Sequence, residues 1–296
     1  MTPTPLNAPP TPPPATEIEH DRCSLTLVRR LLALLDRDPA SLRTGDHLPH
    51  GWHNLMFNPP TRQSELRPNG ATRSRVNIPG LEDLPRLMFA GRRCQFPGEI
   101  AIGAEVRQET QRLGEPEMKQ GRSGRFALLT FEHRIYVEGE GESAVIEHRD
   151  YVLREAAPPQ SAEAPAPAAS VDAGTPPAHR LGYVRSILPD EVLNFRYSAI
   201  CENPHRIHVD LAYTTQVEGY PALVVNGGIP ATYLHEVFRS VAGREPAAFD
   251  VRNIGTMLCG QPLHFFAQRE GEGDREGWKL WVEDEGGRTT VQAHGR

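Results

Sequence analysis

The sequence predicts an α+β protein: two antiparallel sheets, each curled round a central helix, forming a pseudo-dimer within one chain. Three observations predict it. An Ala/Pro-rich stretch at 156–179, with nine alanines and six prolines in 24 positions, divides the chain into halves of similar size. Each half ends in short β-rich runs separated by Gly, Asp and Glu turns. The second half also carries one strongly apolar helical stripe, Ile229, Tyr233, Leu234, Val237 and Val241. An antiparallel sheet wrapped round such a helix buries the apolar face of both.

The elements follow in order. Residues 1–16 hold seven prolines and almost no bulky apolar residue, which predicts an extended, solvated tail. In the first half, 17–155, Leu25, Val28, Leu31, Leu32 and Leu35 fall at helical spacing, giving a helix over about 21–37. RRCQF and EVRQETQRLGEPEMKQGRSG supply strands. RFALLTFEHRIYVEG and SAVIEHRDYVLRE flank the turn-prone EGEGES and predict a long antiparallel hairpin. Six prolines forbid a continuous helix in 156–179, which is a linker. In the second half, 180–296, the apolar helix precedes three strands, QPLHFFAQRE, GWKLWVEDE and GRTTVQAHG.

Composition narrows the function. With 296 residues, 38% of them hydrophobic and 24% charged, the chain can build a core. A net charge of −6, without a basic stripe, argues against nucleic acid as partner. No run of 18 apolar residues exists to span a membrane. The four cysteines, Cys23, Cys94, Cys201 and Cys259, form no CxxC pair, so reduced and mostly buried thiols are expected. The amino terminus has no basic or apolar signal region, so the expected location is cytoplasmic.

The densest cluster of reactive side chains is Asn203-Pro204-His205-Arg206-Ile207-His208-Val209-Asp210, followed by Glu218-Gly219-Tyr220-Pro221 and Val224-Val225-Asn226-Gly227-Gly228. A histidine is the natural proton carrier near neutral pH, and an amide five residues earlier can orient a water beside it. Gly227 and Gly228 stand where the central helix begins, so their N–H groups could bind a developing oxyanion. Two other readings stand beside this one. An isolated HxxH is often structural, and His205, His208 and Asp210 could ligate zinc, although no fourth ligand is evident. GxSxG, GxGxxG and Walker signatures do not occur.

The run from Tyr197 through Asn203-Pro204-His205-Arg206-Ile207-His208-Val209-Asp210, Glu218-Gly219-Tyr220-Pro221 and Leu223-Val224-Val225-Asn226-Gly227 resembles the MaoC-like hydratases and dehydratases. Within them it looks most like the group of mesaconyl-C4-CoA and itaconyl-CoA hydratases and type-2 hydroxyacyl-thioester dehydratases. His50-Gly51-Trp52-His53, Leu84-Pro85-Arg86-Leu87-Met88-Phe89-Ala90-Gly91 and Asp150-Tyr151-Val152-Leu153-Arg154-Glu155 resemble that group's first half. The resemblance implies a double hotdog fold acting on an enoyl- or 3-hydroxyacyl-CoA thioester, with no cofactor and no metal. The first hotdog would shape the acyl pocket and the second would carry the catalytic loop. Asn203 takes the place of the superfamily's catalytic aspartate, a departure shared with the narrower group.

The expected reaction is hydration of a short branched dicarboxyl enoyl-CoA, itaconyl-CoA or mesaconyl-C4-CoA, to citramalyl-CoA. His208 would act as acid/base, with Asn203 holding the water and Gly227 or Gly228 binding the enolate. Arg86, Arg92 and Arg93, near Phe89, are candidates for the substrate's free carboxylate, since arginine recognises carboxylates bidentately. Arg206 would fix its own loop or touch CoA, and Tyr197 is a weaker substrate-binding candidate. The rival readings are a fatty-acid-type 3-hydroxyacyl-thioester dehydratase, a hotdog thioesterase, and a CoA-thioester-binding protein without turnover. A wide apolar tunnel favours the first rival, and a short pocket ending in arginine favours the hydratase. A homodimer is possible.

Overall fold

The computed structural model describes residues 16–58, 60–72, 78, 80–121, 124–155, 177–271, 273 and 276–296. The tail reading for 1–16 and the linker reading for 156–179 fall almost wholly outside these residues.

The chain opens with strand β1 (Glu17–Arg22) and helix α1 (Leu25–Leu34), then β2 (Arg86–Gln95), β3 (Glu105–Gly121), β4 (Gly124–Val137) and β5 (Val145–Arg154). The second half runs β6 (Tyr183–Ile187), α2 (Glu191–Ile200), α3 (Leu211–Gln216), α4 (Gly228–Ala242), β7 (Ala248–Asn253), β8 (Leu263–Glu270), β9 (Gly277–Glu283) and β10 (Thr289–Gly295). The predicted hairpin is β4–β5, and the three predicted C-terminal strands are β8, β9 and β10.

All strands among the described residues join one antiparallel sheet in the order β1-β3-β4-β5-β2-β7-β10-β9-β8-β6. Read inward from either end, the two halves follow the same order, each strand of the first matched by the one five places later. The halves meet where β2 pairs with β7, from Gly91 opposite Arg252 to Gln95 opposite Ala248. The two expected sheets are therefore fused edge to edge. Gly91 is required at the seam, because a Cβ there would lie 2.3 Å from the Val251 carbonyl oxygen.

α4 is the central helix of the second half. Its nine buried residues, from Ile229 to Phe238, pack it against β8, β9 and β10, with the Tyr233 and Phe265 rings 5.7 Å apart. Pro230 sits in the first turn, where no intrahelical N–H bond is lost. Gly243, with φ 68°, ends the helix in the left-handed conformation.

The first half's helix differs from its expected 21–37. Asp21 and Arg22 belong to β1, where they pair with Val106 and Glu105, and Asp36 at φ 55° stops the helix soon after Leu34. Val28, Leu31, Leu32 and Leu35 are buried as their spacing predicts. They share one apolar core with Trp52, Leu55 and α4, while Leu84, Ala127, Leu129, Phe131 and Leu153 form a smaller core in the first half. The four cysteines are free, with Cys201 half-buried and the other three buried. Among the described residues, no helix is long and apolar enough to cross a membrane.

Candidate active site

The site lies where α2, the loop 201–210 and the approach to α4 meet. Asp190 caps α2 by accepting the Leu193 N–H at 2.7 Å, and Asp210 caps α3 by accepting the Tyr213 N–H at 2.9 Å. The Asp210 cap fixes one end of the loop that carries His208, part of the 3-10 turn Arg206–His208, and the Cys201 N–H, donating to the Tyr197 carbonyl at 3.1 Å, fixes the other.

Asn194 on α2, 0% exposed, ties that loop to the segment before α4. Its amide donates to the carbonyls of His208 (2.8 Å) and Val224 (2.9 Å), and its oxygen accepts the Asn226 N–H at 2.7 Å. The Val224 N–H donates to the Ile207 carbonyl at 3.0 Å. His208 is thus seated against Val224, three residues before Gly227.

The tautomer of His208 follows from its partner. Nδ1 lies 2.8 Å from the Val224 carbonyl oxygen, which can only accept, so the neutral ring carries its proton on Nδ1 and the lone pair on Nε2. Burial pulls the imidazole pKa down to about 4, against the hydrogen bond to Val224, and nearby His205 adds to the lowering. At neutral pH His208 is therefore an uncharged base with Nε2 available.

Asn203 precedes it in the same loop. Its backbone N–H donates to the Ser198 carbonyl at 2.8 Å, and its side-chain oxygen accepts the His205 N–H at 3.3 Å. The first half clasps this loop from outside. The Asn69 carbonyl accepts the Arg206 N–H at 2.8 Å, and the Asn69 amide lies 3.2 Å from His205 Nε2.

The two candidate oxyanion donors separate. The Gly228 N–H donates to the Asn226 side-chain oxygen at 3.1 Å and is already committed, whereas Gly227, the N-cap of α4, is the donor left at the positive helix end. Gly228 has another role: a Cβ there would lie 2.3 Å from the Tyr197 hydroxyl.

Three substrate-binding candidates have partners within the fold, and for Arg206 this is one of its two expected roles. Tyr197 is 2% exposed; its hydroxyl accepts from the Asn54 amide at 2.9 Å and lies 3.3 Å from Thr232 Oγ1, so it braces α4 against the first half. Arg206 holds its own loop, donating to Asp210 at 3.0 and 2.8 Å and stacking over Tyr213 at 4.1 Å. Arg93 points to the face of the sheet away from the helices and forms a two-point ion pair with Asp150. Asp210 is engaged by Arg206 and by its own cap, and His205 by Asn69, which removes the geometric basis for a His205–His208–Asp210 metal site.

Arg86 opens β2 opposite Arg154. Arg92 lies on the inner face with buried Cys94, its guanidinium 5.2 Å from the Phe89 ring. Among β2's arginines, it is the one facing the helices of the second half, where it acts on the titration of Tyr197, Cys201 and His235.

Sequence reasoning missed Asn194, Asn69 and the inner-face charges of β5, Glu147 and Arg149. A signal for the last pair was present. They fall in the same alternating phase as Val145 and Leu153, so the pattern placed charges at core positions.

The chain is similar to several known proteins. The family profile described as hydroxyacyl-thioester dehydratase type 2 matches residues 51–259. A mesaconyl-C(4)-CoA hydratase of Chloroflexus aurantiacus is 33% identical over 258 residues, covering 86% of this chain and 87% of that protein. Among solved structures, HtdX of Mycobacterium tuberculosis superposes with a TM-score of 0.63 at 17% identity, over 95% of this chain and 99% of the other. A second protein from that organism, described as having a double hotdog fold, gives 0.56 at 14% identity over 94% of each chain.

Proposed function

The chain belongs to the hydroxyacyl-thioester dehydratase type 2 family and is a hydro-lyase of CoA thioesters, and from this we propose that it hydrates a short branched dicarboxyl enoyl-CoA. Itaconyl-CoA or mesaconyl-C4-CoA would give citramalyl-CoA. The observation that carries the chemistry is the neutral His208 imidazole, its Nδ1–H held by Val224 and its Nε2 open. Similarity to a mesaconyl-C(4)-CoA hydratase over most of both chains supports the substrate class.

In this reading water sits between His208 Nε2 and the Asn203 amide. His208 takes a proton as the hydroxyl adds to C3 of the enoyl thioester. Negative charge moves to the thioester oxygen, where the Gly227 N–H at the tip of α4 receives it. The imidazolium then returns the proton to C2, so the sum is addition of one water. Because Asn203 cannot accept a proton, one histidine handles both transfers. Dehydration of a 3-hydroxyacyl thioester is the same path reversed, and the family's description favours it as the second reading.

The test is a screen of the purified protein against mesaconyl-C4-CoA, itaconyl-CoA and crotonyl-CoA, following the enoyl absorbance and identifying products by mass. Turnover of a dicarboxyl substrate well above crotonyl-CoA is expected. Preference for crotonyl-CoA or longer monocarboxyl chains would overturn the substrate class, and no turnover of any thioester would overturn the enzyme reading.

A further inference from the structure

Arg92 on β2 and Arg149 on β5 are direct cross-strand partners in the sheet of the first half. Like charges placed directly opposite destabilise a strand pair, and buried charges need counter-charges. The carboxylate both arginines reach is Glu147, itself 0% exposed. Arg149 Nη2 donates to one of its oxygens at 2.8 Å, and Arg92 Nη1 lies 3.4 Å from the other. His53 Nε2, 3.2 Å from Glu147, adds a third neighbour. Burial keeps that imidazole from taking up a proton, so the cluster carries two positive charges against one negative.

The surplus charge comes with unused donors. The Nε groups of Arg92 and Arg149 and the indole N–H of Trp52, a side chain 0% exposed, are buried with no hydrogen-bond partner among the described residues. The two arginine side chains keep 14% and 24% of their surface open, so the cluster is not sealed. Asn54, next to His53, donates at 2.9 Å to Tyr197 on α2, four residues before the catalytic loop begins at Cys201, and the Phe89 and Tyr151 rings lie 5.7 Å apart beside the cluster. His53, Cys94 and Glu147 also bring ligand atoms within 4.8 Å of one another, but two guanidinium groups on the same carboxylate oppose a cation there.

We infer that Arg92 and Arg149 form an anion subsite that takes the free carboxylate of the acyl group, with Glu147 and His53 holding the two guanidinium groups in place. A bound carboxylate balances the surplus charge and supplies acceptors for the idle Nε–H groups. This assignment rests on the dicarboxyl reading above and adds to it the residues that select such substrates.

The test is isothermal titration calorimetry with saturated thioesters that cannot be hydrated: succinyl-CoA and glutaryl-CoA against butyryl-CoA. Wild-type protein should bind one dicarboxyl thioester about 10- to 100-fold more tightly than butyryl-CoA, and Arg92→Met should remove most of that ratio. Arg149→Met is paired with Glu147→Gln so that equal and opposite charges leave together. Should that double variant fail to fold, Arg92→Met, which keeps the Arg149–Glu147 pair, decides the question, with a thermal melt as control. A wild-type preference that survives in Arg92→Met overturns the subsite and leaves the dicarboxyl reading standing. Absence of any preference in the wild type overturns both.

Discussion

The carbonyl of Val224 decides how His208 can act. By fixing the proton on Nδ1, it leaves the lone pair on Nε2, and burial keeps the ring uncharged. kcat/KM should therefore stay flat as pH falls from 8 through 6 and decline only as the medium approaches a pH of about 4. A limb with a midpoint near 6.5 would assign the proton transfer to an exposed histidine instead. His208→Ala should lower kcat by roughly 10²–10⁴-fold with a small change in melting temperature. Wild-type turnover in that variant would remove His208 from the reaction. This residue was legible because Asn203 to Asp210 forms a motif. Asn194 was not, since a single amide within a helix reads the same whether it meets solvent or three buried backbone groups. Arg149 was overlooked for a related reason: one arginine in a strand looks like surface until its phase is set against its neighbours.

Strands were readable wherever β-rich runs lie between turn residues, as in β4, β5, β8 and β10. β1 has the sequence EIEHDR, with one apolar residue, and its strand conformation comes from pairing with β3 along the sheet edge. That pairing is non-local and left no trace in the pattern. The junction of β2 and β7 is equally silent in sequence, yet it determines how the halves combine. Gly91→Ala tests it. The added methyl meets the Val251 carbonyl of the opposite strand, where no flexible side chain can yield, so the backbones must part. A loss of about 1–3 kcal/mol in chemical denaturation is expected. A variant as stable as wild type would show that the seam tolerates separation.

Across the whole molecule, histidines dominate the response to acid. His53, His205, His208, His235 and His264 are all held below the ordinary histidine pKa, with burial the largest cause each time. In the unfolded chain these groups take up protons below about pH 6.5, while the fold resists doing so. The unfolded state thus binds more protons, and stability should fall with pH from 6.5 toward 4, by on the order of 3 kcal/mol through His208 alone. Glu132, held down to about 2 by Arg134, His148 and Gln111 despite burial, adds a further loss below the ordinary carboxylate range. Denaturation midpoints measured between pH 7.5 and 4.5 check this, and a midpoint that is constant or rises toward acid would contradict it. The α+β class and paired halves were visible in the sequence through repeated strand patterns, whereas the single shared core was not, because it depends on which faces the fusion brings together.

The mirrored strand order has a practical consequence. Where two separate subunits must find each other, their common cleft disappears on dilution. Here the partner is tethered, so the Asn69 clasp on the His205–His208 loop and the Tyr197–Asn54 brace form at any concentration. Each half is then free to change without the other, since neither can be exchanged for an identical copy.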